Sequence, residues 1–146
     1  MGIFKAYDIR GIYGQDLTDG IFYKIARAYA RFAGVRKVVV ARDCRTHSEP
    51  LFAAFAKGLT DVGVDVIDVG RASTPMSYFA NASLKADGSV MITASHNTKE
   101  WNGCKLCRAN AVALICFSIC CAAFLRIIVN LSAYPLQRSC CLSVFC

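Results

Sequence analysis

Residues 90–97 read VMITASHN, a short apolar run followed directly by a polar loop. The run at 90–92 is typical of a strand, and Ser95 would lie in the loop that leaves the strand's carboxyl end. Ligands bind at this edge of open α/β sheets, where a serine can present its oxygen to a substrate. A polar turn without chemistry is the alternative interpretation of the same residues.

A cationic segment, NGCK at residues 102–105, follows this loop. His96 can donate or accept a proton, and Lys105 can offset charge on anionic oxygens. His96 is the immediate neighbour of Ser95 in sequence, which is not the arrangement of a catalytic triad, whose members meet in space. The combination of hydroxyl, imidazole and ammonium groups indicates phosphate chemistry.

Strand and helix signals alternate from this loop back towards the amino terminus. Apolar runs at 38–41 and 64–69 predict strands, and Asp8 and Arg10 flank Ile9 so that both would face one side of a short extended segment. The alternation predicts a parallel or mixed sheet with right-handed crossovers, and therefore an α/β fold. The predicted helices begin at Thr18 or Asp19, at Ser48 as a cap and at Thr74–Pro75, and the first ends at Gly34.

A polar cluster follows the predicted strand at 38–41. It contains Arg42, Asp43, Arg45 and Ser48. Two arginines at the carboxyl end of a strand suit phosphate oxygens. An ion pair with Asp43 explains the same arginines equally well.

Composition limits the classes of function. The chain has 146 residues, enough for one domain with a buried core, and its formal net charge is +7. It has no basic run of the kind that follows a nucleic-acid backbone, so we expect small anions rather than nucleic acid as partners. Residues 1–10 contain no apolar signal-peptide core, and the expected location is the cytoplasm.

Cysteines crowd the carboxyl-terminal end. Only Cys44 precedes residue 104, whereas eight cysteines lie between 104 and 146. The first part therefore reads as a reduced intracellular domain. Cys104 and Cys107 have the spacing that opens a zinc site, but the later cysteines do not repeat it, and zinc is not expected.

Five motifs occur in the order found in the α-D-phosphohexomutases, and the chain most resembles their phosphomannomutase/phosphoglucomutase branch. They are AYDIRG at 6–11, RDCR at 42–45, STP at 73–75, TASHN at 93–97 and NGCK at 102–105. The resemblance covers residues 3–105. It implies a three-layer α/β/α sandwich with a mixed, mostly parallel sheet, as in the first domain of that family.

The resemblance also implies an activity. Ser95 would carry a phosphoryl group, give it to a hexose phosphate of mannose or glucose, and take back the other phosphate from the bisphosphate intermediate. Hexose 1-phosphate and hexose 6-phosphate are thereby interconverted, with hexose 1,6-bisphosphate as activator and Mg²⁺ on the Ser95 phosphate. The catalytic residues would be Ser95, His96, Arg10 and Lys105, and the substrate- or phosphate-binding residues Tyr7, Arg42, Arg45, Asn97 and Asn102.

The chain departs from the family pattern in two ways. Thr98 stands where proline usually follows the asparagine of TASHN. The family's other three domains, with the remaining Mg²⁺ ligands and the sugar-reading loop, have no counterpart in this sequence. We therefore expect an incomplete fragment that is inactive alone. The alternative is a non-catalytic sugar-phosphate binding or interaction module.

Residues 106–146 form an apolar, cysteine-rich tail after a first domain at 1–105. The 17 residues at 109–125 carry no charge, which is near the lower length limit for a membrane span. A frame shift, misplaced splice or early stop is the favoured explanation, because the tail has no acidic residue and no helix-cap or turn pattern. Membrane attachment is therefore not expected.

Overall fold

A computed structural model of the chain describes residues 2–114. In chain order its elements are β1 (Ile9–Ile12), α1 (Asp19–Ala33), β2 (Lys37–Arg42), α2 (Ser48–Thr60), β3 (Asp65–Arg71), α3 (Thr74–Ser83), β4 (Gly88–Ile92), β5 (Trp101–Arg108) and a 3₁₀ turn (Ala109–Ala111). The alternation of strand and helix confirms the predicted α/β fold.

Local signals set the ends of α1 as predicted. The Thr18 hydroxyl accepts a hydrogen bond from the backbone N–H of Ile21, and Gly34 ends the helix in the left-handed region at φ 66°. The prediction that Ser48 caps α2 is wrong. His47 occupies the cap position, and Ser48 is the first residue of the helix, where its hydroxyl donates to Asp43 and accepts from Asn102.

The five strands form one mixed sheet in the order β1-β5-β4-β2-β3. The pairs β4–β2 and β2–β3 are parallel, whereas β1–β5 and β5–β4 are antiparallel. The predicted mixed sheet is confirmed, but it was expected to be mostly parallel, and parallel and antiparallel pairings share it equally because the strands at one end, β1 and β5, pair antiparallel. The connections from β2 to β3 and from β3 to β4 run in opposite directions along the sheet, so crossovers of the usual right hand place α2 and α3 on opposite faces.

The main core lies between the sheet and the pair of helices α1 and α2. Phe22 of α1 and Phe55 of α2 meet edge to face, with ring centroids 6.1 Å apart. Ile9 of β1 and Cys104 of β5 point into this core. Because side chains alternate along a strand, Asp8, Arg10 and Lys105 lie on the other face of the sheet. This confirms the prediction that Asp8 and Arg10 share a face.

Strand β5 continues past Lys105 to Arg108 and is followed by the 3₁₀ turn. Most of the apolar tail, residues 115–146, lies outside the described residues, and the division at residue 105 stays a prediction. Within residues 2–114 no helix combines the length and the apolar character that a membrane crossing requires.

Candidate active site

Ser95 lies in the loop that leaves the carboxyl end of β4, as predicted, and this loop leads into β5. Its side chain is exposed, and its backbone adopts φ 56°, in the left-handed region that residues other than glycine rarely occupy. The Thr93 hydroxyl accepts a hydrogen bond from the Ser95 N–H at 2.8 Å. The loop therefore presents the serine hydroxyl to solvent at the carboxyl end of a buried strand.

His96 contacts the serine directly. The Ser95 hydroxyl lies 3.0 Å from Nδ1 of His96, which is hydrogen-bonding distance. Both side chains are exposed. The imidazole is thus placed where it can exchange a proton with the Ser95 oxygen.

Arg10 and Lys105 meet at a carboxylate that the sequence reasoning did not include among the site residues. Arg10 donates through Nε to Asp8 at 2.8 Å, and the ammonium group of Lys105 lies 3.5 Å from the same Asp8 oxygen. Asp8 is 9% exposed. The alternation of Asp8 and Arg10 around Ile9 was the available signal, and it could have added Asp8 to the site.

Asn97 connects these cations to the serine loop. Its side-chain oxygen accepts a hydrogen bond from Nη1 of Arg10 at 2.5 Å. Arg10, Lys105, Asp8 and Asn97 therefore form one cluster, which Asn97 joins to the loop that carries Ser95. The cluster combines two cationic side chains with one carboxylate, and so retains positive charge for an anionic ligand.

Arg45 lies under the same loop, but its guanidinium group faces the backbone. It donates to the carbonyl oxygens of Ser95, Asn97, Thr98 and Trp101 and pairs with Asp43 at 3.1 Å. Arg45 was predicted as a phosphate-binding residue. Because its N–H donors already have acceptors within the protein, its guanidinium group supports the loop instead.

Asn102 is fully buried, and its contacts are internal. Its amide nitrogen lies 2.9 Å from the Ser48 hydroxyl and 2.8 Å from Nδ1 of His47, and its oxygen accepts from the N–H of Gly103. His47 also contacts the Lys99 carbonyl through Nε2 at 2.9 Å. His47 had not been singled out, because its partners Lys99 and Asn102 lie more than 50 residues away along the chain.

The structure does not bring Arg42 to the serine loop. Arg42 forms ion pairs with Asp68 of β3 and Glu49 of α2, and its guanidinium group lies over the Phe52 ring. Burial lowers the pKa of Arg42, but the hydrogen bonds that it donates to the Asp68 and Glu49 carboxylates raise that pKa by more, and the net shift is upward. Tyr7 is 65% exposed, next to Asp8 in sequence.

The described residues do not by themselves form a magnesium site. Within residues 2–114, no group of three or more His, Cys, Asp or Glu side chains could hold a metal ion. Asp8 already pairs with two cations and Asp43 with Arg45. Mg²⁺ requires several oxygen ligands in near-octahedral geometry, and a phosphate on Ser95 supplies only part of that set.

Known proteins resemble this chain along most of its length. The family model for phosphoglucomutase/phosphomannomutase, alpha/beta/alpha domain I, matches residues 1–115. A phosphomannomutase from Klebsiella pneumoniae is 50% identical over 108 residues, which cover 74% of this chain and 69% of that protein. A phosphomannomutase from Escherichia coli is also 50% identical over 108 residues, again 74% of this chain but only 24% of that protein.

Solved structures support the same relationship. The crystal structure of a phosphoglucomutase/phosphomannomutase family protein from Burkholderia thailandensis superposes with a TM-score of 0.76 at 39% identity, covering 86% of this chain and 30% of that one. The chain spans about a quarter of the length of the Escherichia coli relative. These relatives bear the names of isomerases, and they confirm the family indicated by the five motifs. The chain belongs to the phosphoglucomutase/phosphomannomutase family, of which it carries the α/β/α domain I.

Proposed function

We propose that this chain is the phosphoryl-carrying domain of a phosphohexomutase, with Ser95 as the residue that is phosphorylated. The supporting observation is the exposed Ser95 hydroxyl on a left-handed loop beside the cationic pair Arg10 and Lys105. The activity it serves is the interconversion of hexose 1-phosphate and hexose 6-phosphate, with mannose or glucose as the sugar. A hexose phosphate is the substrate, and no nucleic acid or membrane takes part.

The proposed reaction has two phosphoryl transfers. In the first, the bond between phosphorus and the Ser95 oxygen breaks while a sugar hydroxyl oxygen bonds to phosphorus, and the hydroxyl proton passes to a base. In the second, the Ser95 oxygen attacks the other phosphate of the bisphosphate, and the sugar oxygen that leaves takes up a proton. His96, whose Nδ1 lies 3.0 Å from the Ser95 hydroxyl, would move the proton at Ser95, and Arg10 and Lys105 would offset charge on the transferring oxygens.

The chain alone is not expected to complete this cycle. Magnesium would neutralise charge on the phosphoserine, but the described residues supply too few oxygen ligands to hold it. The aligned segment is also about a quarter of the Escherichia coli phosphomannomutase. Sustained conversion of glucose 1-phosphate by this chain with Mg²⁺ and a trace of glucose 1,6-bisphosphate would contradict that expectation. The cytoplasmic location stays a prediction.

Mass spectrometry of peptides tests the proposal at Ser95. The chain is purified from its source cells in the presence of phosphatase inhibitors, and a second sample is incubated with glucose 1,6-bisphosphate and Mg²⁺. We expect one phosphoryl group on the peptide containing Ser95 and none in Ser95→Ala. Ser73→Ala is the matched control, since Ser73 is another exposed serine whose hydroxyl makes no capping hydrogen bond. Absence of phosphate on Ser95 in both samples would contradict the proposal.

The second candidate is a non-catalytic module that binds sugar phosphates reversibly. It is favoured by the small share of the Escherichia coli relative that the chain spans. Such a module would bind glucose 6-phosphate equally well with Ser95 or with alanine at that position. Calorimetric titration of the chain and of Ser95→Ala tests for this reversible binding. The phosphoryl group on Ser95 then separates the two functions, because only the enzyme domain acquires covalent phosphate.

A further inference from the structure

We infer that Arg45 is a positioning residue that holds the loop around Ser95 in its left-handed, exposed conformation. This inference rests on the proposed role of Ser95. Arg45 lies in the loop between β2 and α2, about 50 residues from its acceptors in the β4–β5 loop. It acts on the loop through the backbone and does not touch the reacting atoms.

All five N–H groups of the Arg45 guanidinium group have acceptors. Nη1 donates to the Thr98 carbonyl at 2.5 Å and to the Trp101 carbonyl at 3.1 Å. Nη2 donates to the carbonyls of Asn97 at 2.7 Å and Ser95 at 3.2 Å. Nε donates to the Asp43 carboxylate at 3.1 Å. Because arginine has five donors in a fixed planar arrangement, none remains for a substrate phosphate.

The anchor of Arg45 is itself fixed from β5. Asp43 accepts hydrogen bonds from the Arg45 N–H at 3.1 Å and from the Ser48 hydroxyl at 2.5 Å. The Ser48 hydroxyl in turn accepts from the buried amide of Asn102. A series of hydrogen-bonded side chains, from Asn102 in β5 through Ser48 to Asp43, therefore holds the guanidinium group in place.

His47 adds a second contact from the same side. The Asn102 amide donates to Nδ1 of His47, so Nε2 carries the proton and donates to the Lys99 carbonyl. The His47 ring stacks on Tyr13, with centroids 4.9 Å apart. Arg45 and His47 together bind the carbonyls of Ser95, Asn97, Thr98, Lys99 and Trp101.

These contacts account for the unusual backbone of Ser95. A residue other than glycine in the left-handed region costs on the order of 1 kcal/mol and persists when the surrounding structure holds it there. The hydrogen bond from Arg10 to the Asn97 side chain does not involve the Ser95 carbonyl. Arg45 does, and it binds carbonyls on both sides of Thr98. Loss of Arg45 would release the loop while the sheet stays intact.

Hydrogen–deuterium exchange of the unphosphorylated 146-residue chain tests the inference. In Arg45→Ala and Arg45→Lys we expect amides in residues 94–101 to exchange at least about tenfold faster, with exchange in α1 and β2 unchanged. Lysine keeps the charge but has three donors on a single nitrogen and cannot bridge four carbonyls. Arg27→Ala is the matched control, since Arg27 lies over the Tyr23 ring on α1. Guanidinium added at millimolar concentration should restore protection in Arg45→Ala alone.

Phosphoryl uptake at Ser95 from glucose 1,6-bisphosphate, followed by peptide mass, is the second readout. We expect about a tenfold slower uptake in Arg45→Ala and Arg45→Lys and a rate near the parent's in Arg27→Ala. Loop exchange equal to the parent's, or faster exchange spread equally over α1 and β2, would overturn the inference. An unchanged rate of phosphoryl uptake in an Arg45 variant whose loop exchanges faster would also overturn it. No uptake in the parent chain would count against the proposed function, and exchange would still decide the role of Arg45.

Discussion

Nη1 of Arg10 donates to the side-chain oxygen of Asn97 across 2.5 Å, and this bond joins the first strand to a loop 87 residues later. Hydrogen bonds from a charged donor are stronger than neutral ones, but this pair is partly exposed. We therefore expect a coupling energy of about 1 kcal/mol between the two side chains. Urea unfolding of Arg10→Ala, Asn97→Ala and the double variant measures it. Additive effects of the two substitutions would show that the bond does not stabilise the fold.

Asp8 is expected to stabilise the cationic pair beside Ser95. Asp8→Asn leaves Arg10 and Lys105 without a counter-charge on a partly buried face, so we expect a loss of about 1–2 kcal/mol in the free energy of unfolding. The loss should shrink as salt screens the repulsion between the two cations.

The control for Asp8 is Asp61→Asn. Asp61 is the carboxyl-terminal cap residue of α2, and the substitution removes its exposed ion pair with Lys57 of the same helix. Exposed pairs contribute little, so the control should unfold close to the parent. Denaturant unfolding at low and high salt compares the two variants. An Asp8→Asn loss that does not change with salt would mean that repulsion is not its cause.

Sequence reasoning predicted the elements whose signals are local. Thr18 and Gly34 mark the ends of α1 through contacts within a few residues, and both were assigned correctly. Strand β5 was not predicted, because Asn102, Gly103 and Lys105 disfavour a strand and its β1 partner lies about 90 residues away. Pairing on both edges outweighs that low propensity.

The candidate site was likewise predictable only where motifs along the chain mark it. The motifs at 93–97 and 102–105 predicted Ser95 and Lys105 as site residues, and the structure joins Arg10 to Asn97 of the serine loop and, through Asp8, to Lys105. The buried state of Asn102 and the backbone contacts of Arg45 depend on how the β2–α2 loop folds under the β4–β5 loop. No pattern along the chain records that packing, so both residues read equally well as ligands for phosphate.

Gly103 permits the close approach of β1 to β5 at Arg10. A Cβ atom built on Gly103 would overlap the carbonyl oxygen of Ile9 and lie 3.1 Å from Cα of Arg10. Gly103→Ala should therefore cost about 2–4 kcal/mol and shift Arg10 away from Asn97. Thermal and urea unfolding measure the cost, and the Arg10–Asn97 coupling should be lost in this background.

Gly20→Ala is the matched control for Gly103. Gly20 lies in the first turn of α1, and the nearest atom to its added Cβ is the Thr18 hydroxyl oxygen at 3.9 Å. Alanine there should raise stability by about 0.5–1 kcal/mol, because it restricts the unfolded chain without a clash. Equal effects of the two substitutions would refute the steric role of Gly103.

Tyr29 should make the fold sensitive to alkaline pH. It is fully buried, and its hydroxyl donates to the Cys107 carbonyl at 2.6 Å. Burial raises the pKa of Tyr29 far above its ordinary value of 10.0. The unfolded chain therefore releases this proton near pH 10 while the folded chain keeps it, and the contribution of Tyr29 to stability, complete below pH 10, falls by about 1.4 kcal/mol per pH unit above it.

Tyr29→Phe isolates this effect. At neutral pH the variant should be less stable by about 1–2 kcal/mol, because the Cys107 carbonyl loses a buried donor. Phenylalanine does not ionise, so the difference between the parent and the variant should close roughly one pH unit above 10. Urea unfolding of both proteins at neutral pH and at several pH values around and above 10 provides the comparison. A difference that stays constant across that range would mean that Tyr29 ionises as readily in the folded chain as in the unfolded one.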